Sequence, residues 1–194
     1  VAVQGVIGGT TALSSLDINV AGGTGTIELT SIGAGATEET QDGVAGVSRI
    51  GNANTASITL DGTNYNFAGA TTFTAAAGDN IDLTGGGTTT FTLSNDDITF
   101  ATADISLAAN TPLVINSGGG EITAVNIDAA AADASLDVTI NANDGDANTG
   151  ELVIVGAIGA SVEDGISTVS ITGADGITLN GGIETSDQTL NSVT

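Results

Sequence analysis

Short alternations of apolar and polar residues, broken about every 7 to 11 positions by Gly-, Asn- and Asp-rich turns, run through this chain from end to end. Typical runs are "LDINV" (16–20), "TIELTSI" (26–32), "ASITL" (56–60), "TTFTA" (71–75), "NIDLTG" (80–85), "DISLA" (104–108) and "LDVTINA" (136–142). A period of two is the signature of a strand with one buried face. Each run is too short to offer more than two or three inward side chains. Turns such as "GDN", "GGG", "SNDD" and "GADG" separate them. Hairpins usually join longer strands through a two-residue Asn-Gly or Asp-Gly turn. Here "DGTN" after "ITL" is the best hairpin candidate and "GDN" another. Elsewhere the better description is a coil that turns corners at Gly or Asn in a left-handed conformation. Stacked coils form parallel sheets, so the expected fold is all-β, a single parallel β-helix (β-solenoid) segment over 1–194. The alternative is a set of tandem β-sandwich modules. "DAAAADAS" (128–135) is rich in a helix former but spans only about two turns, and it reads as a loop or one helical turn.

Charge narrows the partners. Arg49 is the sole cation against 23 carboxylates, a formal charge of −22. A chain so acidic cannot neutralise a phosphate backbone, so no nucleic-acid partner is expected, and anionic lipid would repel it. A hydrophobic fraction of 40% argues against the disorder that high net charge often signals. There is no Cys, His or Lys, so thiol, imidazole and Schiff-base chemistry are absent and an enzyme is not expected. Lack of cysteine fits a secreted protein without disulfides. No run approaches a membrane span, so no membrane insertion is expected. The opening "VAVQG" reads as a mature product or an excised piece.

The chain also carries an approximate internal repeat of about 150 residues, in which 1–43 resembles 152–194. "VAVQGVIGG" (1–9) aligns with "LVIVGAIGA" (152–160), matching Gly5 to Gly156 and Gly8 to Gly159. "LDINVAGGTGTIELTSI" (16–32) aligns with "VSITGADGITLNGGI" (169–183), placing Ile18 on Ile171, Ile27 on Ile177 and Leu29 on Leu179. The expectation is that the molecule continues beyond both ends.

The segments "DDITFATADISLAANTPLVINSGGGEITAVNI", "LDVTINANDGDANTGELVIVGAIG" and "VSITGADGITLNGGIETSDQT" resemble repeats of giant repetitive bacterial surface and secreted β-solenoid proteins, the filamentous-haemagglutinin-like adhesins. The resemblance covers 97–194 well, 1–33 fairly well and the middle loosely. It implies export to the cell surface, an elongated shape, and adhesion or scaffolding rather than catalysis.

Few residues suggest a site. "NANDGDANTGE" (141–151) sets Asp144, Asp146 and Asn148 at alternate positions with Glu151 three further on, oxygen ligands that can wrap Ca2+. The other reading is a solvated turn, since Gly150 comes one place late for an EF-hand-type loop. No cofactor is required by anything else in the chain. "TEETQDG" (37–43) and "SVEDG" (161–165) are acidic loops read as solvated, or as sharing a cation between subunits. Asp96 and Asp97 form a carboxylate pair that reads as a turn before it reads as a glycosidase. Arg49 is expected to pair with a nearby carboxylate. "TTFT" (71–74) and "TTTFT" (88–92) could present a flat threonine array of the ice-binding kind, or serve only as strand formers. Tyr65 and the four Phe are expected to fill the core.

The function expected from these features is structural: a rod or filament-forming segment (stalk, fibre or sheath) of an extracellular, cell-surface repeat protein. Its partners would be itself, head to tail, and surface glycans. The alternative is a calcium-rigidified β-sandwich adhesin module that binds carbohydrate or a receptor.

Overall fold

Strands too short to bury a face alone must be stacked, and the computed structural model shows how. It describes residues 1–34, 42–130, 136–143, 145, 151–159, 165–184 and 190–193. The chain opens with β1 (Ala2–Ile7), β2 (Leu16–Ile18) and β3 (Thr26–Ile32). The next turns carry β4 (Ser48–Gly51), β5 (Ser57–Leu60) and β6 (Asn64–Phe67), then β7 (Thr71–Thr74), β8 (Asn80–Leu83) and β9 (Thr89–Leu93). They continue through β10 (Ile98–Ala101), β11 (Asp104–Leu107) and β12 (Leu113–Asn116), then β13 (Ile122–Ala124), β14 (Ile127–Ala129) and β15 (Leu136–Asn141). Last come β16 (Leu152–Val155), β17 (Ile166–Thr172), β18 (Gly176–Leu179) and β19 (Leu190–Val193).

The strands wind into a parallel β-solenoid of about six turns. A seven-stranded sheet runs β18-β16-β13-β10-β7-β4-β2. The larger sheet folds into two faces because β3 bends: its first half pairs with β5, while Ile32 pairs with Tyr65 of β6. Three faces result. The first holds β3, β5, β8, β11 and β14; the second holds the end of β3, then β6, β9, β12, β15, β17 and β19. The third is the seven-stranded sheet.

Among the described residues no strand pairs with its neighbour in sequence. This corrects both hairpin expectations and removes the sandwich alternative, whose sheets are antiparallel. "DGTN" is a corner between the first and second faces. Its Gly62 is demanded by close approach, since a Cβ there would sit 1.4 Å from the Thr30 carbonyl oxygen of the turn before. Tyr65 fastens the same corner: its hydroxyl accepts from Gly62 N at 3.0 Å and lies 3.1 Å from the Leu29 carbonyl. "GDN" likewise turns a corner, between β7 and β8 in different sheets. The alanine-rich stretch opens as strand, with Asp128 and Ala129 in β14; residues 131–135 lie outside the described residues.

The interior is made of ladders. On the first face Ile27, Ile58, Ile81, Ile105, Ile127, Ile158 and Ile183 stack in register, one per turn. On the second the order is Ile32, Tyr65, Phe91, Ile115, Ile140 and Ile171. The third inserts Phe73 and Phe100 between Ile50 and Ala124. The aromatic rings meet in the middle turns: Tyr65 stacks on Phe91 with centroids 5.2 Å apart, and Phe73 on Phe100 at 5.3 Å. Phe91 meets Phe100 edge-on at 5.2 Å, which joins the two stacks. All five rings are buried, as expected. Left-handed non-glycine corners fall on Asn19, Asn95 and Asn110, the residue type that tolerates them best after glycine, and on Thr102, whose hydroxyl donates to the Ala75 carbonyl of the turn before.

Turn length varies: Ile105 to Ile127 takes 22 residues and Ile127 to Ile158 takes 31. Of the matched repeat positions, Gly8 and Gly159 both have positive φ, 64° and 72°. Ile18 and Ile171 lie in different sheets, as do Ile27 and Ile177. About six turns, each advancing about 4.8 Å, make a segment roughly 30 Å long.

Candidate functional site

The residues read as calcium ligands are reached only in part. Asp144, Asp146 and Asn148 lie outside the described residues. Glu151 stands at the entry to β16 with its side chain buried, and its carbonyl accepts from Asp175 N at 3.3 Å. Among the described residues no group of three acids is placed to hold a metal ion.

Other acidic features have local partners. Of "TEETQDG", Asp42 and Gly43 are described, and Asp42 is buried rather than solvated. Its carboxylate accepts from Ala34 N at 2.7 Å and from Asn66 Nδ2 at 2.9 Å. Of "SVEDG" only Gly165 is described. Asp96 and Asp97 occupy the corner before β10, where Asp97 Oδ1 accepts from Glu121 N at 2.8 Å. Burial, and secondarily the Asp97 charge, pushes the Asp96 carboxyl up. Arg49 Nη1 lies 3.6 Å from Asp17 Oδ1 across adjacent turns, both side chains largely exposed. Such a pair contributes little net stability.

The outward rows differ from face to face. The first face presents Glu28, Thr59, Asp82, Ser106 and Asp128 in successive turns. Carboxylate and hydroxyl alternate, so no two like charges in the row face each other directly, an arrangement that would destabilise the sheet. Burial still pushes the Asp82 carboxyl up, partly opposed by its hydrogen bond from Ser106. The second face carries exposed Asp137 of β15, opposite Thr168, and beside it two rows without charge. One is Asn64, Thr90, Val114, Thr139 and Ser170; the other is Asn66, Thr92, Asn116, Asn141 and Thr172. The third presents Asp17, Arg49, Thr72, Thr99, Thr123, Ile154 and Thr178.

The threonine motifs are thus divided. Thr72 faces outward on the third face and Thr90 on the second, while Thr71 and Thr89 are buried, donating to the Gly69 and Gly62 carbonyls at 2.9 and 3.4 Å. "TTFT" and "TTTFT" do not make one array.

A groove of about 440 Å³ opens where β13, β16 and β18 end and the chain turns toward the first face. Thr123, Val125, Ile154, Ala157 and Asn180 line it, with Gly156 and Gly181 lowering its floor. Asn126 fixes that floor: its Oδ1 accepts from Ala157 N at 2.8 Å and its Nδ2 donates to Asp104 Oδ1 at 2.8 Å. Gly156 admits no side chain, because a Cβ would lie 1.8 Å from the Val125 carbonyl oxygen of the preceding turn. Sequence reading missed these residues. The signal was present as three strand ends, "ITAVN", "LVIVGA" and "ITLNGG", each running from an outward residue into an Asn, Gly or Ala corner; only the register shows that they stack. No protein-family model, curated protein or solved structure matches this chain.

Proposed function

We propose that this chain is a structural segment of a longer β-solenoid rod: a piece of stalk, fibre or sheath in an extracellular, repetitive cell-surface protein of the filamentous-haemagglutinin-like kind, bacterial in origin. The observation that carries this reading is the unbroken isoleucine ladder from Ile27 to Ile183 on the first face. A ladder of one residue per turn has no intrinsic stopping point. Any further turn, from the same chain or from another copy, extends it by the same parallel pairing. Stacking of this kind is a head-to-tail contact that does not close, which yields rods.

Charge supports the same job. An exterior carrying most of 23 carboxylates keeps rods apart, and divalent cations would screen it without a dedicated site.

Negative-stain electron microscopy of native material carrying this sequence, with and without a calcium chelator, tests the reading. Thin, uniform rods that survive chelation are expected. Separate beads, or rods that break into beads without calcium, would overturn it in favour of metal-stiffened modules.

A further inference from the structure

We propose that the groove at the ends of β13, β16 and β18 binds a linear, uncharged polysaccharide lying along the solenoid axis. The groove belongs to one chain, so this stands whether or not segments join into rods.

Three observations converge on that ligand class. First, among the described residues no charged side chain lines the groove, in a chain of formal charge −22. Anionic polymers are repelled by the molecule as a whole, and the carboxylates beside the groove, Glu121 and Asp104, are engaged by the Thr123 hydroxyl and the Asn126 amide. A neutral ligand is what remains. Second, the lining pairs apolar surface with hydrogen-bonding groups. Val125 is 36% exposed and Ile154 half-buried, beside the exposed Asn180, whose side-chain amide makes no hydrogen bond among the described residues. A sugar ring has the matching character: C–H faces that settle on aliphatic side chains, and a rim of hydroxyls that both donate and accept.

Third, the groove continues a line. Thr72, Thr99 and Thr123 stand in register on successive turns and lead into it, and Thr178 stands beyond Ile154. Hydroxyls recurring about every 4.8 Å along one axis suit a polymer better than a compact molecule. Thr123 Oγ1 already donates to Glu121 Oε1 at 2.8 Å, so it meets the ligand as an acceptor.

Affinity electrophoresis of the full chain through gels containing dextran, a soluble mannan or a soluble β-glucan, with alginate as the anionic comparison, tests this. At least one neutral polymer should retard the chain and alginate should not. Ile154→Glu, which removes the aliphatic surface a sugar ring would rest on, and Asn180→Ala, which removes the amide's hydrogen bonds, should each weaken retardation roughly tenfold. Thr139→Glu on the second face should leave it unchanged. Circular dichroism confirms that each variant folds, and either groove variant alone suffices. No retardation by any neutral polymer, equal retardation by alginate, or retardation unmoved by both groove variants would overturn the proposal. So would ice-growth inhibition without retardation, which would assign the threonine row to ordered water instead.

Discussion

The first and second faces of the solenoid share one backbone plan and differ in almost everything their side chains do. Inside, the first face stacks isoleucine on isoleucine from Ile27 to Ile183, while the second mixes Ile, Tyr and Phe. Outside, the first alternates acids with hydroxyls, and the second carries two rows of uncharged polar residues and one valine, with Asp137 of β15 facing Thr168 at their edge. The interior is sorted by ladder: isoleucine and leucine ladders run up the first face, and the aromatics gather in the middle turns of the other two. The exterior answers to repulsion along the axis. Charge is admitted where the residue above and below can separate it, so neighbouring turns dictate the outward chemistry as firmly as they dictate the core.

The largest test of that contrast is in the core. Phe91→Ala, which removes one ring from both a stacked and an edge-on pair, should cost about 3–5 kcal/mol, and Ile81→Ala about 2–5 kcal/mol. Urea denaturation measures both. Equal, small losses would mean that the ladders do not hold the turns together. Next comes the seam between the two faces. Tyr65→Phe keeps the ring but strands Gly62 N without its acceptor, and should cost about 1–2 kcal/mol at unchanged packing.

A comparable effect probes the outer row. Ser106→Asp would insert a carboxylate between those of Asp82 and Asp128, so that three consecutive turns carry one each. Ser106 is buried and hydrogen-bonds to Asp82, so the change should cost about 1–2 kcal/mol, only partly recovered in high salt. Thr139→Asp, with Val114 and Ser170 across from it and Asp137 two residues back on its own strand, should cost less than Ser106→Asp because its side chain is only half-buried. A reversed order would break the comparison between the faces. The smallest effect is in pH. Because the Asp82 carboxyl is raised, the folded chain holds that proton more tightly than the unfolded chain does. Its contribution to stability is full below the ordinary carboxylate range, around pH 4, and is lost as pH rises through the raised value. Asp82→Asn should therefore raise the melting temperature at neutral pH and narrow its gain on acidification.

Much of this fold was legible because a period of two is local. "NIDL", "DISL" and "LVIN" each name their inward residues without help, and Gly, Asn and Asp mark the corners. Register was not legible. Nothing within "DGTN" says whether its flanking strands pair with each other or with the turns on either side, because the decisive contact is Gly62 against Thr30, a full turn back. The outward rows, the split of the threonine motifs and the groove all depend on that register, since each joins residues more than twenty positions apart. The buried Asp42 was hidden for the same reason: the acid-rich string around it reads as solvated until Asn66 of the next turn is laid beside it.

Diffraction from native material, aligned by shear or drying, tests the proposed rod most directly. Turns stacked along a rod predict a reflection near 4.8 Å on the meridian, along the axis of alignment. A 4.8 Å reflection confined to the equator, or none in material that aligns, would contradict it.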